Sequence, residues 1–501
     1  MEQYKTYEMS FECGNPFGEV TAVFTGESGV STTVRGFASG VNEVKVRFYP
    51  SACGQYTYKI SGEVETSGSV MCTAAGGAGP HGIVRASATH FRYDDGTWFY
   101  PFGTTVYALA HQDKELVDTT METLSSSPFN KVRMCVFPKH YEYNHNEPEL
   151  FAFERDEDGK FDMSRPCFEF FDEFERRINE LENMGIQCDL ILFHPYDRWG
   201  FADMGMEEAK CYLDYLIRRL AAFPNVWWSL ANEFDLMKYT RGEWEELAGF
   251  VSECDVYKHL LSNHNCIEFW DFDNKDTTHI CLQVKNCDEV SGLIRKYGKP
   301  LMVDECCYEG NIPYEWGNIS AFEMVNRFWT AVVQGGGCTH GETYLIDDEV
   351  LWWSRGGRLK GESPERISFL KDIVDSLSGP ITYCGFEFTK EKYDEINANP
   401  DVAENDFWRA VARAPWDRAK AAMLNGKEYM GRVGEEAYIK YMGRKCAAFT
   451  EFNLPENHKY NVEIIDVWNM TRKTILSGVS GKLTVELFGT EGTALLARRI
   501  P

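Results

Sequence analysis

The sequence has no long apolar run, no secretion signal and no excess of positive charge. No window approaches the roughly 18 uninterrupted apolar residues of a membrane span, and the N-terminus MEQYKTYEMSFECG has neither a basic start nor an apolar core. We therefore expect a cytoplasmic protein that does not contact a membrane. The net charge of -26 repels phosphate backbones, which makes nucleic acid a poor partner and a neutral substrate an easier fit.

The cysteines also lack the spacing of a functional site. All 16 lie between Cys13 and Cys446 without a C-x-x-C pair and without the Cys and His spacing of a zinc site. In a long chain without a secretion signal, this pattern favours free buried thiols over a disulfide framework, and no metal is expected.

The chain of 501 residues is too long for one simple core, and its patterns divide it into three regions. Residues 1–90 alternate short β-rich runs with Gly, Ser and Thr turns, which predicts an N-terminal antiparallel β-sandwich. Residues 91–380 alternate apolar strands with amphipathic helices, which indicates a parallel sheet. Residues 381–501 begin with a charged helical connection and end in strands, which predicts a C-terminal β-sandwich domain.

The central region contains about eight candidate strands. They are FYPFGTTVYAL, KVRMCVF, IQCDLILF, NVWWSLA, HLLSNH, THICLQV, PLMVDE and GCTHGETYL, between residues 99 and 345. This number and length suit a (β/α)8 TIM barrel, whose active site lies at the C-terminal strand ends. A doubly wound open sheet is the alternative. The fold class is therefore α/β, a barrel flanked by two β-sandwich domains.

Two glutamates end two of these strands. WWSLANEFDL places Glu233 at the tip of the fourth strand, and PLMVDE places Glu305 at the tip of the seventh. Across one barrel, both could face a single cleft, and glycoside hydrolysis needs such a pair of carboxyl groups. The alternative without a catalytic role is that each glutamate is a solvated residue that begins a loop.

Other polar and aromatic residues stand near strand ends and are candidates for substrate binding. Arg133 lies within the apolar second strand, where an unpaired charge would be costly, and could hold a catalytic carboxylate ionised. The remaining candidates are His194 after the third strand, His264 after the fifth, His340 and Glu342 after the eighth, Trp353 and Arg355 in WWSRGG, and Trp199, with Trp316 and Trp352 as further loop indoles that could stack on a sugar or simply pack.

Competing chemistries fit less well. There is no G-x-S-x-G elbow and no G-x-x-x-x-G-K-[ST] loop, and a metal-dependent barrel hydrolase would need an H-x-H pair where the first strand has only His111. The segment Gly77 to Gly82 matches G-x-G-x-x-G, but it contains Pro80 and precedes a strand pattern, so a turn is expected and no cofactor. Cys306 and Cys307 follow Glu305 but have no histidine to pair with.

The sequence resembles two nested groups of glycoside hydrolases. The segment ANE after an apolar strand, with Glu305 closing a seventh strand, looks like the retaining hydrolases of clan A. More closely, FYPFGTTVYAL, HGETY and the WW-S-x-GG continuation resemble the apiosidase-like family, and the β-rich ends resemble the domains that flank it. The resemblance implies that Asn232 binds the sugar 2-hydroxyl, Glu233 is the acid/base and Glu305 the nucleophile, and that Arg133 and His194 flank the pair.

One departure concerns the sixth strand. Many clan members position the nucleophile with a Tyr or His near its end, whereas THICLQV offers only His279 and Gln283, with no clear equivalent. The predicted function is retaining hydrolysis of a short glycoside or oligosaccharide. The alternatives are a carbohydrate-binding protein without catalysis, and a barrel lyase or transglycosylase. The β domains at both ends could also mediate self-association of the chain.

Overall fold

The computed structural model describes residues 1–76, 80–346, 348–398, 406–425 and 427–501, so Gly77, Ala78 and Gly79 of the glycine-rich segment lie outside the described residues. Contacts divide the chain into two compact units, one with residues 1–285, 297–321 and 337–365, and the other with residues 286–296, 322–336 and 366–501. None of the described helices is long and apolar enough to cross a membrane.

The N-terminal region of the first unit forms two antiparallel sheets. One contains Tyr7–Glu12, Glu43–Phe48 and Phe37–Gly40, and the other contains Ser31–Arg35, Val20–Gly26, Gly54–Gly62 and Thr66–Cys72. Alternate residues of Val20–Gly26 are buried, as expected for a strand with one face on a core. Val20, Ala22, Phe24, Val46 and Phe48 form that core, and the predicted N-terminal sandwich is confirmed.

Eight parallel strands form the predicted barrel. In chain order they are Phe102–Thr105, Lys131–Cys135, Gln187–Phe193, Val226–Ala231, Leu261–Ser262, Ile280–Gln283, Leu301–Glu305 and Gly337–His340. Each pairs with its neighbour in sequence except the fifth and sixth, which are the two edges of the sheet, and the eighth pairs with the first. Between the fifth and sixth strands, Thr278 N–H donates to the Leu261 carbonyl at 2.8 Å. This sequential order is that of a nearly closed barrel, so the doubly wound alternative is wrong.

Helices connect most of the barrel strands. They are Lys114–Ser126, Phe168–Asn183, Met206–Leu220, Arg241–Cys254, Val290–Tyr297 and Ala321–Val333, with short helical turns at Leu109–His111, Phe201–Asp203, Phe234–Leu236 and Glu315–Gly317. The helices Trp352–Arg355 and Ser363–Asp375 follow the eighth strand. Gly185, with φ of 75°, follows the helix Phe168–Asn183, as the sequence predicts. Residues 263–279 connect the fifth and sixth strands without a helix.

A small antiparallel sheet closes the N-terminal end of the barrel. It consists of Val84–Ser87, His90–Tyr93 and Trp98–Phe99. Phe91 and Phe99 pack against Trp227 of the fourth barrel strand, with ring centroids 5.2 and 5.9 Å apart. The strand at Val84–Ser87 directly follows the glycine-rich segment, where a dinucleotide site would need a helix. Two short pairs, Phe153–Arg155 with Phe161–Pro166 and Glu309–Gly310 with Glu342–Thr343, lie in the loops.

The second unit contains the C-terminal β domain. The helices Lys390–Ala398, Asp406–Arg413 and Trp416–Asn425 lie in the chain between its first strand and the others. A six-stranded sheet contains Thr382–Tyr383, Tyr429–Val433, Ala437–Tyr441, Thr493–Arg499, Tyr460–Asp466 and Thr471–Val479, and a second sheet contains Phe449–Leu454 and Gly481–Glu486. Phe452, Tyr460, Val462, Val485 and Leu495 form the core between the two sheets.

Candidate active site

The two glutamates predicted from the sequence lie at the C-terminal ends of their strands. Glu233 directly follows Val226–Ala231 and Asn232, and Glu305 is the last residue of Leu301–Glu305. Their side chains are mostly buried, with 6% and 9% of the residue exposed. Neither one is a solvated loop residue.

Glu233 has a backbone conformation that few side chains adopt. Its φ and ψ of 56° and 58° lie in the left-handed region, which costs a residue with a Cβ about 1 kcal/mol or more. Backbone hydrogen bonds on both sides maintain this turn. Asn232 N–H donates to the Phe193 carbonyl and Phe234 N–H to the His264 carbonyl, both at 2.9 Å. The turn thus directs the Glu233 carboxylate into the barrel mouth.

Three side chains donate hydrogen bonds to the Glu233 carboxylate. Gln283 Nε2 donates to Oε1 at 3.2 Å, Asn232 Nδ2 donates to Oε2 at 3.3 Å, and the Tyr196 hydroxyl also donates to Oε2. They come from the third, fourth and sixth strand ends. The orientation of Glu233 is therefore fixed by donors from several elements, as precise catalysis requires.

Glu305 has a different environment. The Tyr107 hydroxyl donates to its Oε1, and the Nε2 atom of His264 lies 3.9 Å from the same oxygen. Burial and the charge of Glu233 raise the pKa of Glu305 to about 7, while the Tyr107 hydrogen bond and the charges of Lys139 and Arg133 oppose that rise.

Tyr107 and His264 each contact both carboxylates or the groups that hold them. The Tyr107 hydroxyl lies 3.0 Å from Asn232 Oδ1 and also binds Glu305. On the other side, His264 Nδ1 accepts from the Glu233 backbone N–H at 3.4 Å while its Nε2 faces Glu305. The two catalytic candidates therefore share one pocket.

A buried cluster of ion pairs lies beneath the two glutamates. Lys131 Nζ contacts Asp189 at 2.6 Å and Asp304 at 2.7 Å, and Arg133 Nη1 contacts Asp304 at 3.1 Å. All four side chains are fully buried. Arg133 Nη2 also reaches Asn232 Oδ1 at 3.5 Å. Two cations and two anions thus neutralise each other inside the barrel, which is how charged groups are tolerated there.

The structure brings four of the predicted substrate-binding residues to this pocket. Asn232, Arg133 and His264 are described above. Trp353 is buried beside the pocket among aromatic rings. Its ring centroid lies 6.2 Å from that of Tyr107 and 5.8 Å from that of Tyr308.

The other five lie away from the carboxylate pair. His340 is fully buried against Phe129 and bonds Thr104, and Glu342 is buried and accepts from backbone N–H groups of residues 360 and 361. His194 is buried, and its Nε2 atom hydrogen-bonds the Phe137 carbonyl. Arg355 Nε donates a hydrogen bond to Gln112 Oε1. Trp199 Nε1 donates to the Glu147 carboxylate at the surface.

Sequence reasoning missed several residues of the site. They are Tyr107, Lys139, Tyr196, Asp304 and Tyr308. The sequence offers Gln283 at the end of the sixth strand but gives it no role, whereas the structure shows that it donates to Glu233. A sequence signal existed for Tyr107, because it comes two residues after the first strand and so lies at the same end of the barrel as Glu305. The sixth strand has no tyrosine to hydrogen-bond the nucleophile candidate Glu305. Tyr107, after the first strand, makes that hydrogen bond instead.

Three family models match the chain. The family model described as apiosidase-like, catalytic domain, matches residues 86–374. Two domains of unknown function, DUF5060 and DUF5605, match residues 1–63 and 425–497. No curated protein matches the chain.

Solved structures of glycoside hydrolases also match the chain. The crystal structure of a candidate glycoside hydrolase from Bacteroides vulgatus ATCC 8482 is 32% identical, covers 100% of this chain and 99% of its own, and has a TM-score of 0.85. A glycoside hydrolase family 5 structure from the same organism is 14% identical, covers 83% of this chain and 94% of its own, and has a TM-score of 0.60, which shows the fold alone. Since the family model spans more than half of the chain, the protein belongs to the apiosidase-like family, with the barrel fold of glycoside hydrolases.

Proposed function

We propose that this protein is a retaining glycoside hydrolase in which Glu233 is the acid/base and Glu305 the nucleophile. The observation that carries the proposal is the pair itself, two mostly buried carboxyl groups at the fourth and seventh strand ends, connected through Tyr107 and Asn232. The family and fold support hydrolysis of a glycoside.

The chemistry follows in two steps. Glu233 gives its proton to the glycosidic oxygen while the Glu305 carboxylate forms a bond to the anomeric carbon, and the aglycone leaves. Glu233, now ionised, then takes a proton from water, and that water displaces Glu305 and releases the sugar. Tyr107 stays hydrogen-bonded to Glu305 and orients it for attack.

The stereochemistry of the product tests this assignment. Retention requires carboxyl groups about 5 to 5.5 Å apart, while inversion requires a gap of roughly 6.5 to 9.5 Å for a water molecule. We expect proton NMR to show a first-formed sugar with the same anomeric configuration as the substrate. Net inversion would rule out Glu305 as the nucleophile.

The choice of substrate comes from the family. Its description names an apiosidase, so a screen of aryl furanosides, apiosides among them, and aryl pyranosides is the first step. A protein that remains inside the cell would meet short imported glycosides. The screen should include disaccharides alongside the aryl glycosides.

The pH dependence of hydrolysis follows from a proton that the Glu233 and Glu305 carboxyl groups share. Because the pKa of Glu305 is raised to about 7, the two carboxyls together retain one proton up to about that pH. Hydrolysis needs this proton on Glu233 and an ionised Glu305. We expect kcat/KM to fall by about tenfold per pH unit above about pH 7, and to fall again at acidic pH when the pair takes a second proton.

Two substrates with different leaving groups check this expectation. A nitrophenyl glycoside needs little protonation on departure, so its kcat/KM should fall less at alkaline pH than that of an alkyl glycoside of the same sugar. A value of kcat/KM that keeps rising above about pH 8 for both substrates would contradict a role for the shared proton.

A further inference from the structure

Lys139, four residues beyond the second barrel strand, has a buried ammonium group enclosed by aromatic rings. Only 3% of the residue is exposed. Its Nζ lies 3.8 Å from the centroid of the Tyr107 ring, 4.3 Å from that of Tyr196, 5.1 Å from that of Trp353 and 5.5 Å from that of Tyr141. Cation–π contacts of this kind offset part of the cost of burying a charge.

The ammonium group has no hydrogen-bond or ion-pair partner among the described residues. It lies instead against the two rings whose hydroxyls bind the catalytic carboxylates, Tyr107 on Glu305 and Tyr196 on Glu233. The charge of Lys139 therefore acts on both carboxylates from behind these tyrosines. Its interaction with them opposes the lowering of its own pKa by burial.

The ionisable groups around the pair can be sorted by charge. Those that lie around it are Tyr107, Lys131, Arg133, Cys135, Lys139, Tyr141, Asp189, Tyr196, His264, Cys266, Cys281, Asp304 and Tyr308. His194 is farther from the pair but interacts with Lys139. Burial lowers the pKa of both histidines and raises that of the tyrosines and cysteines, so these groups are neutral. The half-buried Asp197 and Asp235 are bound to loop N–H groups.

Three cations then face four carboxyl groups in the buried part of the site. Lys131 and Arg133 are matched by Asp189 and Asp304. Lys139 is left to match Glu233 and Glu305 together. The site is electrically neutral only when those two carboxyls carry a single proton between them, and a buried site strongly favours neutrality.

We propose that Lys139 is a positioning residue whose positive charge holds the catalytic pair at one proton. This inference rests on the proposed function, because one shared proton is the state that a retaining pair needs. Without Lys139, the neutral state of the site has both glutamates protonated, and Glu305 can no longer attack.

The pH profile of hydrolysis tests the inference with two variants. Lys139→Met keeps the apolar stem and removes the charge, and Lys139→Arg keeps the charge. For the Met variant we expect both limbs of the kcat/KM profile to move to higher pH by about one unit or more, as a unit charge at close range in a protein shifts a pKa. The Arg variant should keep the wild-type limbs. A Met variant with unmoved limbs, whether its kcat falls or its KM rises, would overturn the proposal.

An NMR titration can test the role of Lys139 even if the protein hydrolyses no glycoside, so this inference and the proposed function can fail separately. In protein labelled with ¹³C at glutamate Cδ, NMR titration between about pH 5 and pH 9 follows the glutamates that titrate in that range. Among the described residues, the pKa is raised to about 7 for Glu182, Glu305 and Glu342. The Glu305→Gln variant assigns its signal. A midpoint that moves up in Lys139→Met supports the inference even if no glycoside is hydrolysed. An unmoved midpoint overturns it even in an active hydrolase.

Discussion

Replacing Glu305 with glutamine is expected to lower kcat by about four orders of magnitude or more. Glutamine has nearly the same shape and still accepts the Tyr107 hydrogen bond, but its amide cannot form the glycosyl bond to carbon. Substrate affinity should remain within a few fold. The measurement combines kcat on the best aryl glycoside from the screen with calorimetric binding of the same sugar.

The Glu233→Gln variant gives the matching result for the acid/base. We expect a loss of about 10² to 10⁴ in kcat/KM for alkyl glycosides, and a much smaller loss for nitrophenyl glycosides, which leave without a proton. Glu268→Gln is the control, because its side chain is 74% exposed on the loop after the fifth strand, and it should keep wild-type rates. If both active-site variants bind sugar and the wild-type protein never hydrolyses any, the chain is a carbohydrate-binding protein.

The barrel could be predicted from the sequence because its strands and helices have different periods. Strands such as Gln187–Phe193 are buried along their whole length, and the helix Phe168–Asn183 has apolar residues at helical spacing. Both patterns are local. The strand-end positions of Glu233 and Glu305 followed from the same alternation.

The surroundings of the two glutamates could not be predicted in the same way. Tyr107 and Glu305 are 198 residues apart, and their hydrogen bond depends on the first and seventh strands facing each other across the barrel. His340 and Glu342 also lie at a strand end, but their side chains are buried against Phe129 and against the backbone of residues 360 and 361. The alternation of apolar and polar residues in the sequence does not show whether a side chain at a strand end points into the active site or into packing.

The buried ion cluster leads to the largest expected effect on stability. Asp304 accepts from Lys131 Nζ and Thr339 Oγ1 at 2.7 Å and from Cys281 Sγ at 3.0 Å, and it pairs with Arg133. The pKa of Asp304 is held well below its usual value: burial would raise it, but the charges of Lys131 and Arg133 overcome that effect. Its contribution to stability is therefore complete above the unfolded-state pKa of about 4 and is lost only as the pH falls toward the lowered folded-state value.

Asp304→Asn is therefore expected to lower the free energy of unfolding of the barrel by about 3 to 5 kcal/mol at neutral pH. It leaves Lys131 and Arg133 with Asp189 as their single counter-charge. Urea denaturation followed by tryptophan fluorescence measures the change. Glu315→Gln, which removes an exposed ion pair with Lys285, serves as the control and should cost less than about 1 kcal/mol.

A second substitution separates charge balance from lost hydrogen bonds. In the double variant Lys131→Met, Asp304→Asn, one cation and one anion remain, so the buried site regains neutrality. If uncompensated charge is the main cost, the double variant should be more stable than the sum of the two single losses predicts, by about 1 kcal/mol or more. Strict additivity would assign the loss to the hydrogen bonds from Thr339 and Cys281. In that case, charge balance would not be what stabilises the floor of the active site.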